Sequence, residues 1–166
     1  YLPVPVRAVV ADGHAPGLAR AAARGVDTAT VPRPVFPGRS AFENALADVI
    51  AGYDPALVAL AGFMRVLSPG FVDRHAGRMV NIHPSLLPRY RGLDTHARAL
   101  AAGDAEHGAS VHWVTPELDA GPVIAQARVP VHARDDAETL AARVLAKEHR
   151  LYPAALALLF KNSVGV

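Results

Sequence analysis

Ala56-Leu57-Val58-Ala59-Leu60-Ala61, followed eighteen residues on by Met79-Val80-Asn81-Ile82-His83-Pro84, decides the fold of this chain. The first run is apolar on both faces, as expected of a central parallel strand. The second reads as another strand, closed by a proline that lacks an amide hydrogen for a ladder. Working outward, Val6 to Ala11 reads as a short strand ending at Asp12-Gly13, and Gly17 to Arg24 as a short helix stopped by Gly25. Val26 to Val31 fits a further strand. Ser40 to Ala51 is amphipathic, with Phe42, Leu46, Val49 and Ile50 on one side. Asp94 is placed to cap a helix through Ala102. Ala109 to Thr115 and Val123 to Val131 read as strands joined by a loop. Asp136 to Phe160 reads as a long helix, kinked at Pro153.

Strands alternating with helices predict an α/β fold, a three-layer open sheet, mainly parallel and Rossmann-like. The last two strands have no helix between them, so the C-terminal part of the sheet is expected to be mixed. A doubly wound sheet normally opens with a strand, a glycine-rich turn and a helix whose N-terminus holds phosphate. This sequence opens at Tyr1-Leu2-Pro3 without such a unit, and Gly13-His14-Ala15-Pro16-Gly17 is a poor substitute. The 166 residues, 51% hydrophobic, suffice for one substantial core, and a single domain over residues 1–166 is expected.

Seventeen basic residues against fifteen acidic leave a net charge of only +2, and no Lys/Arg run is present. Composition therefore gives no case for nucleic acid or a membrane surface, and a small anionic substrate is compatible with it. Without cysteine there is neither a disulfide framework nor a thiolate zinc site. The eight histidines are scattered, with no metal-ligand spacing, so no metal is expected. The expectation is a cytoplasmic domain.

Four segments carry candidate chemistry. Alternate residues of a strand share a face, so Asn81 and His83 project together at a strand's C-terminal end, where open α/β sheets bind ligands. An amide donor beside an imidazole suits an oxyanion site with an acid/base group, although a structural histidine and asparagine fit equally well on position alone. Asp119, in the loop Glu117-Leu118-Asp119-Ala120-Gly121-Pro122, reads either as a turn aspartate or as a carboxylate partner that raises the His83 pKa. Gly62-Phe63-Met64-Arg65-Val66-Leu67 follows the central apolar strand, with Ser68 as a helix N-cap. Glu148 falls on the stripe of Leu140, Val144, Leu151 and Ala155 and needs a partner, either Arg or His in the core or a ligand. His112, with Ser110 on its face, reads as a satisfied buried histidine.

Taken in order, Ala61-Gly62-Phe63-Met64-Arg65, Asn81-Ile82-His83-Pro84-Ser85-Leu86-Leu87-Pro88, Gly103-Asp104-Ala105-Glu106-His107-Gly108, Glu117-Leu118-Asp119 with Gly121-Pro122, and Glu148-His149 with Tyr152-Pro153 resemble the folate-dependent phosphoribosylglycinamide formyltransferase family. The resemblance runs from Val6 onward. It implies an enzyme of purine synthesis that moves the formyl group of 10-formyltetrahydrofolate to the amine of 5′-phosphoribosylglycinamide. It implies catalytic roles for Asn81, His83 and Asp119. Arg39, Met64, Arg65, Val66, Leu67 and Asn81 would contact folate, and Glu148 and Asn81 the ribonucleotide. Small molecules are then the partners, with the chain a monomer or homodimer. It also implies a cis peptide at Leu87-Pro88. Arg91 and Asp94 stand where many members have Pro and His. The family's opening strand and Gly-Ser-Asn phosphate loop have no counterpart in this sequence, so the domain is expected to be N-terminally incomplete. Alternatives are formyltetrahydrofolate deformylase, in which water replaces the amine, and a non-catalytic ligand-binding α/β module.

Overall fold

The computed structural model describes residues 4–163, which form two compact units, Val4–Ala56 and the chain from Leu57 onward. Tyr1-Leu2-Pro3, where the sequence reading looks for an opening strand, lies outside the described residues.

The first unit holds β1 (Ala8–Ala11), α1 (Pro16–Ala22), β2 (Asp27–Thr30) and α2 (Arg39–Tyr53), with one 3₁₀ turn at Arg33–Val35 inside the proline-rich loop. β1 and β2 pair in parallel, Ala8 opposite Asp27 through Ala11 opposite Thr30, and α1 packs on both. Pro16 starts α1 because its fixed φ suits a first helical turn and its missing amide hydrogen is not needed there. α2 buries Phe42 and Leu46 as its periodicity predicts, together with Ala47 and Glu43. Val49 and Ile50 are only half-buried. The buried acid is matched by Arg39, whose Nε lies 3.6 Å from the Glu43 carboxylate one turn earlier.

The second unit contains β3 (Val58–Leu60), α3 (Pro69–Arg74), β4 (Met79–His83), α4 (Thr95–Ala101), β5 (Glu106–Trp113), β6 (Val123–Pro130) and α5 (Ala137–Ser163). Its four strands run in the order β3-β4-β5-β6. β3 and β4 are parallel, and β4-β5 and β5-β6 are antiparallel, which is the mixed C-terminal part expected from two strands without an intervening helix. Among the described residues, β1 pairs with β2, and β3 to β6 form one ladder in which β3 pairs with β4.

α5 packs across β5 and β6, and α4 packs on α5. Ala109, Val129, Leu140 and Val144 form the dry centre of this layer, flanked by Ile82, Leu100, Val131 and Leu151. Asp136 starts α5 by accepting the Thr139 amide at 2.8 Å. Pro153 sits inside α5. One residue before it, the Tyr152 hydroxyl donates to Leu60 O at 2.6 Å and lies 3.3 Å from Val80 O, tying the helix to β3 and β4.

Two helix ends refine the sequence reading. Ser68 does cap α3, accepting the Phe71 amide at 3.2 Å. Asp94 occupies the N-cap place of α4 in a left-handed conformation (φ 56°) without a side-chain capping bond. β5 begins at Glu106, three residues before its expected start. Glu106-His107-Gly108 looks like loop because of its charge and glycine, yet His107 and Gly108 are buried strand residues. Gly108 is required by proximity, since a Cβ there would overlap the Ala127 carbonyl oxygen of β6.

Two outcomes follow from this core. Gly108→Ala forces backbone against backbone at a buried ladder position and should cost about 1–3 kcal/mol, the range for overpacking. A urea midpoint equal to that of the parent would contradict the packing. Burial, with His96 as a second influence, pushes His107 from its ordinary 6.5 down to about 4, and His96 and His112 are also lowered, chiefly by burial. The folded chain therefore binds fewer protons than the unfolded chain between those values. Stability should be complete above about pH 6.5 and should fall as pH drops towards 4. Urea titrations near pH 7 and pH 5 measure this, and an equal or higher midpoint at the lower pH would contradict it.

Candidate active site

β4 delivers Asn81 and His83 to one face at its C-terminal end. The turn that follows is held by buried hydroxyls. Ser110 Oγ donates to Ser85 O at 2.7 Å and accepts from the Leu87 amide at 3.0 Å and from Gln126 Nε2 at 2.9 Å. Ser85 Oγ donates to Arg89 O at 2.6 Å, and Thr95 Oγ1 to Pro84 O at 2.7 Å. The Leu87-Pro88 peptide is cis, as the resemblance implies. These bonds fix the chain leaving His83, so the imidazole is carried on a rigid strand and a rigid turn.

His83 is buried. Its Nε2 lies 2.9 Å from Tyr90 O, and its Nδ1 lies 3.4 Å from Asp119 Oδ2. Both ring nitrogens thus face oxygen acceptors, a pattern that an imidazolium, a donor at both positions, fills completely. The structure brings together His83 and Asp119, which are 36 positions apart in the sequence. Asp119 lies in the β5–β6 loop with φ 49°. That loop is anchored by the Trp113 amide, which donates to Pro122 O at 3.0 Å. Gly121 is packed so closely on Trp113 O that no Cβ fits. The Gly92 amide donates to Asp119 Oδ2 at 2.9 Å.

Three further groups belong to the site that residue-by-residue reading did not assign to it. His112 stands opposite Asn81 in the β4–β5 register, and its Nε2 lies 3.4 Å from Asn81 Nδ2 and 3.7 Å from Asp119 Oδ1. The signal was available in the alternation of Ser110 and His112, but only once β5 is known to pair with β4. The backbone of Tyr90 and Gly92 has no side-chain signature at all. Their segment is held by Arg98 Nη1, which donates to Arg91 O at 2.7 Å and lies 3.2 Å from Leu93 O. The Tyr90 hydroxyl donates to Asp104 at 2.6 Å, and Arg91 pairs with Glu117 at 2.8 Å across the two loops.

The remaining sequence candidates are distributed as follows. Glu148 is half-buried on α5, and no hydrogen bond or ion pair to its carboxylate occurs among the described residues. Burial raises its pKa, while His149 and His83 oppose the shift. In the segment after β3, Met64 and Val66 are largely exposed, Arg65 is exposed and Leu67 is buried. Apolar side chains displayed to solvent beside a strand's C-terminal end are available to a flat apolar ligand. Arg39 belongs to the first unit, at the start of α2. Among the described residues no group of three or more His, Cys, Asp or Glu is placed to hold a metal ion. No described helix is long and apolar enough to cross a membrane.

What this arrangement offers chemically is two hydrogen-bond donors, Asn81 and His83, side by side with a carboxylate. Donors in pairs stabilise an oxygen that gains negative charge, and a carboxylate next to them can take and return a proton.

The family model described as formyl transferase matches residues 2–156. The phosphoribosylglycinamide formyltransferase of Escherichia coli K12 is 54% identical over 149 residues, covering 89% of this chain and 70% of that protein. Among solved structures, the phosphoribosylglycinamide formyltransferase of Coxiella burnetii superposes with a TM-score of 0.88 at 52% identity, over 94% of this chain and 74% of that one. Glycinamide ribonucleotide transformylase 1 of Symbiobacterium toebii gives a TM-score of 0.92 at 42% identity, over 97% and 76%. With a family match over residues 2–156 and 54% identity over 149 aligned residues to a curated member, the chain belongs to the formyl transferase family.

Proposed function

We propose that the protein transfers the formyl group of 10-formyltetrahydrofolate to the amine of 5′-phosphoribosylglycinamide, a step of purine synthesis. The observation that carries this reading is the convergence of Asn81, His83 and Asp119 at the end of β4. The relatives' names supply the substrate class, and the donor–acceptor set suits acyl transfer to an amine.

The formyl donor supplies an activated one-carbon carbonyl. The chain's residues do the rest. Asn81 Nδ2–H, and a His83 N–H that exchanges its protein acceptor for the substrate, donate to the formyl oxygen as the amine attacks and negative charge grows there. The attacking amine nitrogen must lose a proton and the leaving folate nitrogen must gain one. Asp119 is the carboxylate placed to take the first, and His83 the group placed to give the second. Asp119 also stabilises positive charge on the imidazole by proximity. Met64, Arg65, Val66 and Leu67 supply the folate surface, largely through backbone groups. Glu148, half-buried on α5, is the contact for the ribonucleotide on the strength of the resemblance. Arg39 remains a folate contact on the strength of the resemblance. The partners on this reading are small molecules in the cytoplasm, met by a monomer or homodimer.

A formyl-transfer assay with both substrates tests the reading. Transfer to the amine is expected, whereas equal formate release with no amine present would identify a deformylase instead. His83→Ala and Asp119→Asn should each lower turnover by at least ~10²-fold, the scale of losing an oxyanion donor or an acid/base group. Near-normal turnover in either variant would remove that residue from the mechanism.

A further inference from the structure

His112 is a buried titratable side chain that lies beside both Asn81 and Asp119, and formyl transfer as described gives it no part. Its surroundings determine what it can do. Nδ1 lies 2.9 Å from Trp113 O, the carbonyl of the next residue. A carbonyl oxygen only accepts, so Nδ1 carries the hydrogen. In a neutral ring Nε2 is then a lone pair. Asn81 stands directly opposite in the ladder, with its amide nitrogen 3.4 Å from Nε2. An acceptor at Nε2 selects the NH₂ end of the Asn81 carboxamide. The carbonyl end turned towards it would set lone pair against lone pair.

The amide's orientation matters because its two ends are opposite in kind. The NH₂ end has two hydrogens. One is held by His112, which leaves the second for a ligand oxygen. The C=O end would present an acceptor where negative charge develops and would oppose it. A histidine that selects one end of the Asn81 amide therefore selects whether β4 ends in an oxyanion donor or in an oxyanion repellent. The β4–β5 register runs without a shift from His83 opposite Ser110 to Asn81 opposite His112, so His112 is aimed by regular alternation along β5.

Asp119 competes for the same nitrogen. Its Oδ1 lies 3.7 Å from Nε2, beyond hydrogen-bonding distance. A protonated Nε2 would turn His112 towards Asp119 and leave the Asn81 NH₂ group facing another donor. Two features weigh against that state. His112 is 2% exposed, and burial is the first cause that keeps its pKa below the ordinary value, with His83 adding to it against the Trp113 and Asp119 contributions. Asp119 is already engaged by Gly92 N and by His83.

We propose that His112 is a positioning residue for formyl transfer: as the neutral Nδ1–H tautomer, hydrogen-bonded to Trp113 O, it accepts from Asn81 and fixes that amide with an N–H free for the reacting oxygen. This inference rests on the formyl-transfer reading.

The tautomer is read directly by long-range ¹H–¹⁵N correlation on the full chain with ¹⁵N-labelled histidine near pH 7, the His112 signals being assigned by their loss in His112→Gln. A protonated Nδ1 with an unprotonated Nε2 is expected. An Nε2–H tautomer or an imidazolium overturns the proposal, and this measurement needs no active variant. Kinetics test the route of action. His112→Leu should lower kcat by about 10-fold or more, as for a displaced oxyanion donor. His112→Gln, whose carbonyl can replace the acceptor, should recover most of that loss, which a purely structural defect would not show. In Asn81→Ala the His112→Leu change should cost nothing further, because its effect runs through an amide no longer present. Full additivity in that cycle, or non-additivity only with Asp119→Asn, overturns the assignment. A different result, full turnover in Asn81→Ala itself, would overturn the catalytic reading of Asn81 and the positioning role with it.

Discussion

The antiparallel pairing of β4 with β5 is the constraint on which the site depends. It places Asn81 opposite His112 and His83 opposite Ser110, all on one face. A slip of one residue would turn every one of these side chains to the other face, because the side-chain period of a strand is two. The register is protected by packing on the opposite side. Val80, Val111 and Ala109 are fully buried, and Ile82 packs against the cluster that α5 covers. Hydrophobic burial on one face therefore fixes the chemistry on the other. Ser110 links the two roles, since its hydroxyl has two donors and one acceptor around it and locks the turn that follows His83.

Backbone strain gathers around the same place. Tyr90, Asp94 and Asp119 are non-glycine residues at positive φ, a conformation that costs of order 1 kcal/mol or more each. Each lies in a segment held at several points. Tyr90 is fixed through its hydroxyl on Asp104 and its carbonyl on His83, and Asp119 through Gly92 and the anchored β5–β6 loop. The Arg91–Glu117 pair adds little by itself, because exposed ion pairs are weak. Strain held in this way keeps the carboxylate beside the imidazole, where a relaxed turn would swing it out to solvent.

Much of this was legible in the sequence, and the omissions have a physical pattern. The alternation of Asn81 and His83 before Pro84 is a local signal, as are the Ser68 cap and the periodicity of α2 and α5. The ends of elements were less legible where a residue's type misstates its surroundings. Gly108 looks like a turn and is instead a strand residue pressed against another backbone. The partnership of His83 with Asp119 was one of two open readings of that loop until the family resemblance favoured it, because no local pattern encodes a contact across 36 positions. Backbone groups such as Tyr90 O and Gly92 N leave no trace in residue types.

His83 and His112 show why residue identity alone leaves function open. They sit on adjacent strands, both buried, at the same end of the sheet. Their hydrogen-bond partners differ in polarity. His83 faces two acceptors, so a doubly protonated ring satisfies its surroundings. His112 faces a carbonyl at one nitrogen and an amide NH₂ at the other, so a neutral ring with a defined tautomer satisfies its own. On the proposed reading, the distinction between a proton donor and a positioning acceptor rests on the carbonyl of Tyr90, in the loop after β4, and on the amide of Asn81, which the β4–β5 register sets opposite His112.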